Sequence, residues 1–141
     1  MTRRTHIARL DDERSEARER ALSLLYEAEA KGMGAGAVVD GLPVAPDALA
    51  ELLVRGVETE QGRIDELITR YAKGWTLARM AQVDRTVLRI ATFELLARPE
   101  VPVAVVLDEA VELAKRFSTD DSGRFVNGVL AAIARDVHTK S

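Results

Sequence analysis

Apolar residues recur along this chain at intervals of three and four, the spacing that lines one face of an α-helix. Ala17, Ala21, Leu24, Leu25 and Ala28 mark one such face and predict a first helix from about Asp12 to Lys31. Asp11, Asp12 and Glu13 stand at its start, where acids complement the positive end of the helix dipole. Gly32 is its stop signal. A short helix over Ala35–Asp40 follows, then the Gly41–Pro46 segment, the one loop expected to be mobile. Pro46 suits a first helical position. Leu49, Leu53, Val57, Ile64, Leu67, Ile68 and Tyr71 carry the next stripe to a stop at Gly74, with Gly56 and Gly62 as weak points, so a break is expected near Gly62.

After a turn of helix at Leu77–Met80, the spacing of Val87, Ile90, Ala91 and Leu95 predicts a helix from about Val83 to Ala97. Pro99 and Pro102 bracket its exit and start another helix, to Phe117. The run Val103–Leu107 taken alone could be a strand. It continues with helical period through Ala110, Leu113, Ala114 and Phe117, which decides for helix. Ser118, Thr119, Asp120 and Asp121 offer caps for a last helix with the stripe Val126, Val129, Leu130, Ile133 and Val137. That stripe runs through Asn127 and Gly128, so Gly128 reads as a helical glycine under a closely packed neighbour. No repeat of 20–50 residues is visible. The expected fold is all-α: one compact antiparallel bundle of six or seven helices over residues 1–141, with residues 1–11 as a flexible arginine-containing tail.

Composition narrows the function. The chain has 141 residues, 47% apolar and 30% charged, which suits one globular domain with a sizeable core. Twenty Lys and Arg against 23 Asp and Glu give a net charge of −3, which excludes a uniformly basic nucleic-acid binder but not a basic patch on an acidic body. Cysteine is absent, so disulfides, thiol catalysis and cysteine-rich zinc sites are excluded. The N-terminus lacks the apolar run of a secretory signal, and no segment approaches the ~18 apolar residues of a membrane span, so a cytoplasmic location is expected.

Catalytic signatures are missing: there is no HExxH, GxSxG or GxxxxGK[ST]. Gly32, Gly34 and Gly36 are spaced like part of a phosphate cradle but lack its strand and lysine, and read as a connector. Asp120 and Asp121 read as helix caps rather than metal ligands, since no third oxygen-rich position follows. Glu58, Glu60, Asp65 and Glu66 read as a solvated face. Glu94, beside the apolar stripe, is expected in an ion pair with Arg89 or Arg98. The strongest electrostatic signal is the run of arginines Arg3, Arg4, Arg9, Arg14, Arg18 and Arg20. Guanidinium groups grip phosphates and stack on bases, or here pair with the acids among them.

Four strings are distinctive: ARERALSLLYEAE (Ala17 to Glu29), VDRTVLRIATFELL (Val83 to Leu96), VPVAVVLDEAVELAK (Val101 to Lys115) and STDDSGRFVNGVL (Ser118 to Leu130). Together they closely resemble the bacterial NusB family over roughly Arg14 to Val137. The resemblance implies two packed three-helix subdomains and no enzymatic activity or cofactor. It implies binding to single-stranded boxA RNA of ribosomal RNA leader transcripts with the small-subunit ribosomal protein NusE. It further implies assembly with RNA polymerase and other Nus factors in transcription antitermination. Residue by residue, it places RNA contacts at Arg14, Arg18, Arg20 and Tyr26, and at Asp121, Ser122, Arg124 and Phe125. Core packing is the alternative role for Tyr26 and Phe125. It places Asp84, and less directly Glu94 and Glu109, against NusE, where acids suit a basic partner.

One departure stands out. The family's continuous arginine run before the Ala-Arg pair is broken here by Ser15 and Glu16. Weak RNA binding without NusE and a shallow salt dependence are therefore expected, unless Arg3, Arg4 and Arg9 fold back along the RNA. Two other readings compete. One is a protein–protein adaptor of the Nus complex with weakened RNA binding. The other is the helical domain of an RNA methyltransferase, disfavoured by the missing methyl-donor loop and cysteine.

Overall fold

Seven α-helices and one 3-10 turn make up the described residues: the backbone of residues 3–139 and the side chains of residues 13–138 in this computed structural model. The helices are α1 (Arg3–Lys31), α2 (Ala35–Asp40), α3 (Ala48–Thr59), α4 (Gln61–Tyr71), α5 (Gln82–Ala97), α6 (Val103–Phe117) and α7 (Asp120–Thr139), with the 3-10 turn at Leu77–Arg79 between α4 and α5. Helix α1 begins at Arg3 rather than near Asp12, because the added residues contain neither Gly nor Pro to stop it. The side chains of Arg3, Arg4 and Arg9, and the expectation that they reach RNA, lie outside the described residues.

Local chemistry sets most of the ends. Gly32, at φ +64°, closes α1: its N–H reaches the Glu29 carbonyl and the Met33 N–H reaches that of Ala28. Helix α3 starts at Ala48 rather than at Pro46, and Asp47 caps it, its carboxylate accepting from the N–H groups of Leu49 and Ala50. The long central stripe breaks at Glu60, two residues before Gly62, into α3 and α4. Thr119 caps α7 by accepting the Ser122 N–H at 3.0 Å.

Helices α1, α2 and α3 pack on one another, as do α5, α6 and α7, and α4 bridges the two groups through α3, α5 and α7. The centre is α5, which packs against α1, α3, α4, α6 and α7 and buries residues on nearly all sides, among them Val87, Leu88, Ile90, Ala91, Phe93 and Leu95. A helix buried on most sides belongs inside, and the acids it carries there, Asp84 and Glu94, are hydrogen-bonded. Its crossing with α3 depends on Gly56, where a Cβ would stand 2.2 Å from Phe93 Cζ. The close approach expected at Gly128 is absent, for nothing lies within 4 Å of a Cβ there. Gly123 takes that part instead, one turn from the start of α7, with Lys115 carbons at 3.0 Å.

Candidate nucleic-acid interface

The first turns of α5 and α7 lie side by side and are joined by a hydrogen bond from Ser122 Oγ to Asp84 Oδ2 of 2.9 Å. Ser118 and Thr119 hydroxyls lie 3.0 Å from the same Ser122 Oγ. Around this buried polar knot runs a groove lined by Trp75, Arg79, Asp84, Asp121, Ser122 and Phe125. Trp75 is 52% exposed and meets Phe125 edge to face, with centroids 6.3 Å apart. A second depression adjoins it, lined by Glu19, Leu22, Ser23, Tyr26, Val83 and Phe117. Sequence neighbours link the two: Val83 lines one and Asp84 the other, Phe117 one and Ser118 near the other. Tyr26 and Phe117 are both more than 40% exposed, and the Arg116 guanidinium lies 5.0 Å from the Phe117 ring centre. Four of the six aromatic residues thus line these two depressions. Exposed aromatics beside hydroxyls and arginines are what stacking and hydrogen bonding to unpaired bases require.

The arginines divide. Arg14 and Arg20 are exposed. Arg124 is exposed and pairs with Asp121 one turn back, both side chains largely in solvent. Arg18 turns inward. It is 2% exposed, and its Nε and Nη2 donate to the two oxygens of Glu94, itself 1% exposed, at 2.8 and 2.9 Å. Arg98 adds a third bond to Glu94 at 2.8 Å, and Glu109 stands 3.8 Å from Arg18 Nη1 while accepting from Ser15 Oγ. Burial alone would lower the Arg18 pKa, but the Glu94 hydrogen bonds and the charges of Glu94 and Glu109 outweigh it and hold the pKa above its ordinary value.

The structure therefore gathers Asp84, Asp121, Ser122 and Phe125 in one groove, sets Tyr26 in its neighbour, and separates Arg18. Arg18 and Glu94, assigned by resemblance to RNA and to a partner, meet each other instead. Glu94 does pair with Arg98 as expected, whereas Arg89 pairs with Asp65. Asp65 is thus more than a solvated acid, and Glu58 likewise accepts the Gly36 N–H at the start of α2. Asp84, Glu94 and Glu109 form no single acidic face: the latter two surround Arg18, and Asp84 lies in the groove. Trp75, Arg79 and Phe117 were not foreseen in the site. Trp75 follows Gly74 and belongs to no helical stripe, and a tryptophan with no core position is the signal that could have found it.

The chain matches the NusB family over residues 15–135. It is 52% identical over 127 residues to the transcription antitermination protein NusB of Saccharopolyspora erythraea, covering 86% of both chains. Among solved structures it is similar to NusB of T. maritima, at 36% identity and a TM-score of 0.79, covering 87% of this chain and 91% of that one. It is also similar to a chain from a complex of the antitermination factors NusB and NusE with double-stranded RNA, at 28% identity and a TM-score of 0.74, covering 87% and 96%. The match over residues 15–135 and these likenesses leave one conclusion: the chain belongs to the NusB family.

Proposed function

We propose that this protein is a transcription antitermination factor that binds boxA RNA of ribosomal RNA leader transcripts jointly with NusE. In that role it is an adaptor rather than an enzyme, and works with RNA polymerase and other Nus factors. The observation that carries the reading is the Trp75–Phe125 pair beside the hydroxyls of Ser122 and its neighbours, with Tyr26 and Phe117 lining a second depression. Its relatives' names and the NusB–NusE–RNA likeness support it. In this role Tyr26 and Phe125 stack on bases, Ser122 and Asp121 serve base or ribose contacts, and Arg14, Arg20 and Arg124 meet phosphates. Arg18 is a positioning residue: with Glu94 it fixes α1 against α5, so that Arg14 and Tyr26 face outward. Glu109, at the mouth of the depression that holds Arg14, is the acid best placed for a basic protein.

The test is fluorescence anisotropy with labelled boxA RNA, with and without NusE. Weak binding alone and tight binding with NusE are expected. If no RNA binds under either condition while NusE does, the protein is a protein–protein adaptor, the reading that the neutralised Arg18 favours.

A further inference from the structure

Residues 72–81 link α4 to α5 and carry Trp75, with the 3-10 turn at Leu77–Arg79 as their one piece of regular structure. A single 3-10 turn is weakly held by its own hydrogen bonds, so such a segment needs an anchor outside itself. Arg85, in the first turn of α5, supplies one. Its side chain is 14% exposed, and its Nη1 donates to the carbonyls of Leu77 at 2.9 Å and Met80 at 3.2 Å. No backbone N–H among the described residues reaches the Met80 carbonyl, so Arg85 is the group that satisfies it. Nη2 of the same guanidinium donates to Glu29 Oε1 of α1 at 2.6 Å. Glu29 stands three residues after Tyr26, whose carbonyl accepts from Gln82 Nε2 at 3.3 Å. One planar fork thus ties the segment that carries Trp75 to the stretch of α1 that carries Tyr26. A guanidinium holds its donors in fixed, divergent directions and can serve three acceptors on two elements at once, whereas a lysine ammonium is a single point.

We propose that Arg85 is a positioning residue for RNA binding: it holds Trp75 in register with Tyr26, so that one strand meets both rings. It acts without touching the RNA, because its guanidinium is committed to three acceptors inside the joint. The proposal rests on the RNA-binding reading above and adds to it the part that sets the spacing of the two aromatic positions. Trp75 is the one tryptophan of the chain, so its fluorescence reports on this segment without a label. Indole emission moves to longer wavelength, and quenching by iodide rises, when water gains access to the ring.

The experiment compares Arg85→Ala, Arg85→Lys and Trp75→Ala with the wild type, all well below their melting temperatures. It reads boxA RNA affinity in the presence of NusE, and Trp75 emission and iodide quenching in the full chain alone. Arg85→Ala should shift the emission to longer wavelength and raise quenching. It should weaken RNA binding about fivefold, part of the roughly tenfold loss expected when the Trp75 stacking face is removed. Arg85→Lys keeps the charge and reaches fewer acceptors, so it should fall between the wild type and Arg85→Ala on each reading. Because Arg85 acts through Trp75, its removal from a Trp75→Ala chain should cost about twofold or less. A clamp that serves stability alone would lower the melting temperature of Arg85→Ala while leaving Trp75 emission, quenching and RNA affinity at wild-type values, and that result overturns the proposal. Full additivity of the Arg85 and Trp75 losses overturns it too, since Arg85 would then act elsewhere. If Arg85→Ala does not fold, Arg85→Lys decides by the same readings. Wild-type RNA binding with variants that match it removes the proposal and leaves the RNA reading intact, whereas absence of RNA binding by the wild type removes both.

Discussion

Glu94 holds two arginines, Arg18 from α1 and Arg98 from its own helix, in a nearly dry setting. A buried ion pair often adds little over an apolar replacement of the same shape, but removing one member strands the other. Glu94→Ala leaves the Arg18 charge inside without its main partner. It should cost about 3–5 kcal/mol, which for a chain of this length lowers the melting temperature by roughly 10 °C. Melting followed by circular dichroism checks this, and a variant that melts with the wild type would remove the pair from any account of stability. Glu94→Gln keeps one acceptor and should fall between the two. Of this network, only the Glu94–Arg98 link was legible in the sequence, because four residues along a helix is a local relation. Arg18 lies 76 residues from Glu94, and no local rule connects them.

Helix ends were legible wherever a residue with a fixed physical role sits at them: Gly32 with its positive φ, the break near Gly62, the polar cluster before α7. Helical glycines were not, since their meaning depends on what lies opposite. Gly56 and Gly128 are alike in sequence terms and opposite in the fold. Gly56 lets α3 approach the Phe93 ring, and Gly56→Ala forces that ring aside at a cost of about 1–3 kcal/mol. Gly128 faces open space, so Gly128→Ala should stabilise by about 0.5–1 kcal/mol through helix propensity alone. Denaturant midpoints of the two variants should move in opposite directions. Phe93→Leu should ease the loss at Gly56, and a Gly56→Ala chain as stable as the wild type would show that the crossing has room to relax.

Taken whole, the molecule is acidic, and the arginines exposed toward phosphates are fewer than the sequence suggests. Arg18 is committed inside, and Arg124 is partly offset by Asp121. With about three phosphates neutralised, log Kd for RNA should change with log salt by a slope of magnitude about 2. A titration series across salt concentrations checks it, and a slope near 4 would mean that Arg3, Arg4 and Arg9 add their charges. The candidate site was half legible at this scale. Phe125, Ser122 and Tyr26 came from motif resemblance, while Trp75 and Arg79 sit in an irregular connection that only the packing of α4 against α5 brings to the groove. That groove has no foundation of its own. Met80, buried in the core, also lines it, and Asp84 belongs to the helix around which the bundle is built. Unfolding the bundle therefore dismantles the binding surface, and a ligand that occupies only the intact surface draws the equilibrium toward the native chain by mass action. At a hundredfold excess over Kd that is about 2.7 kcal/mol, so for this protein the RNA it holds would also be part of what keeps it folded.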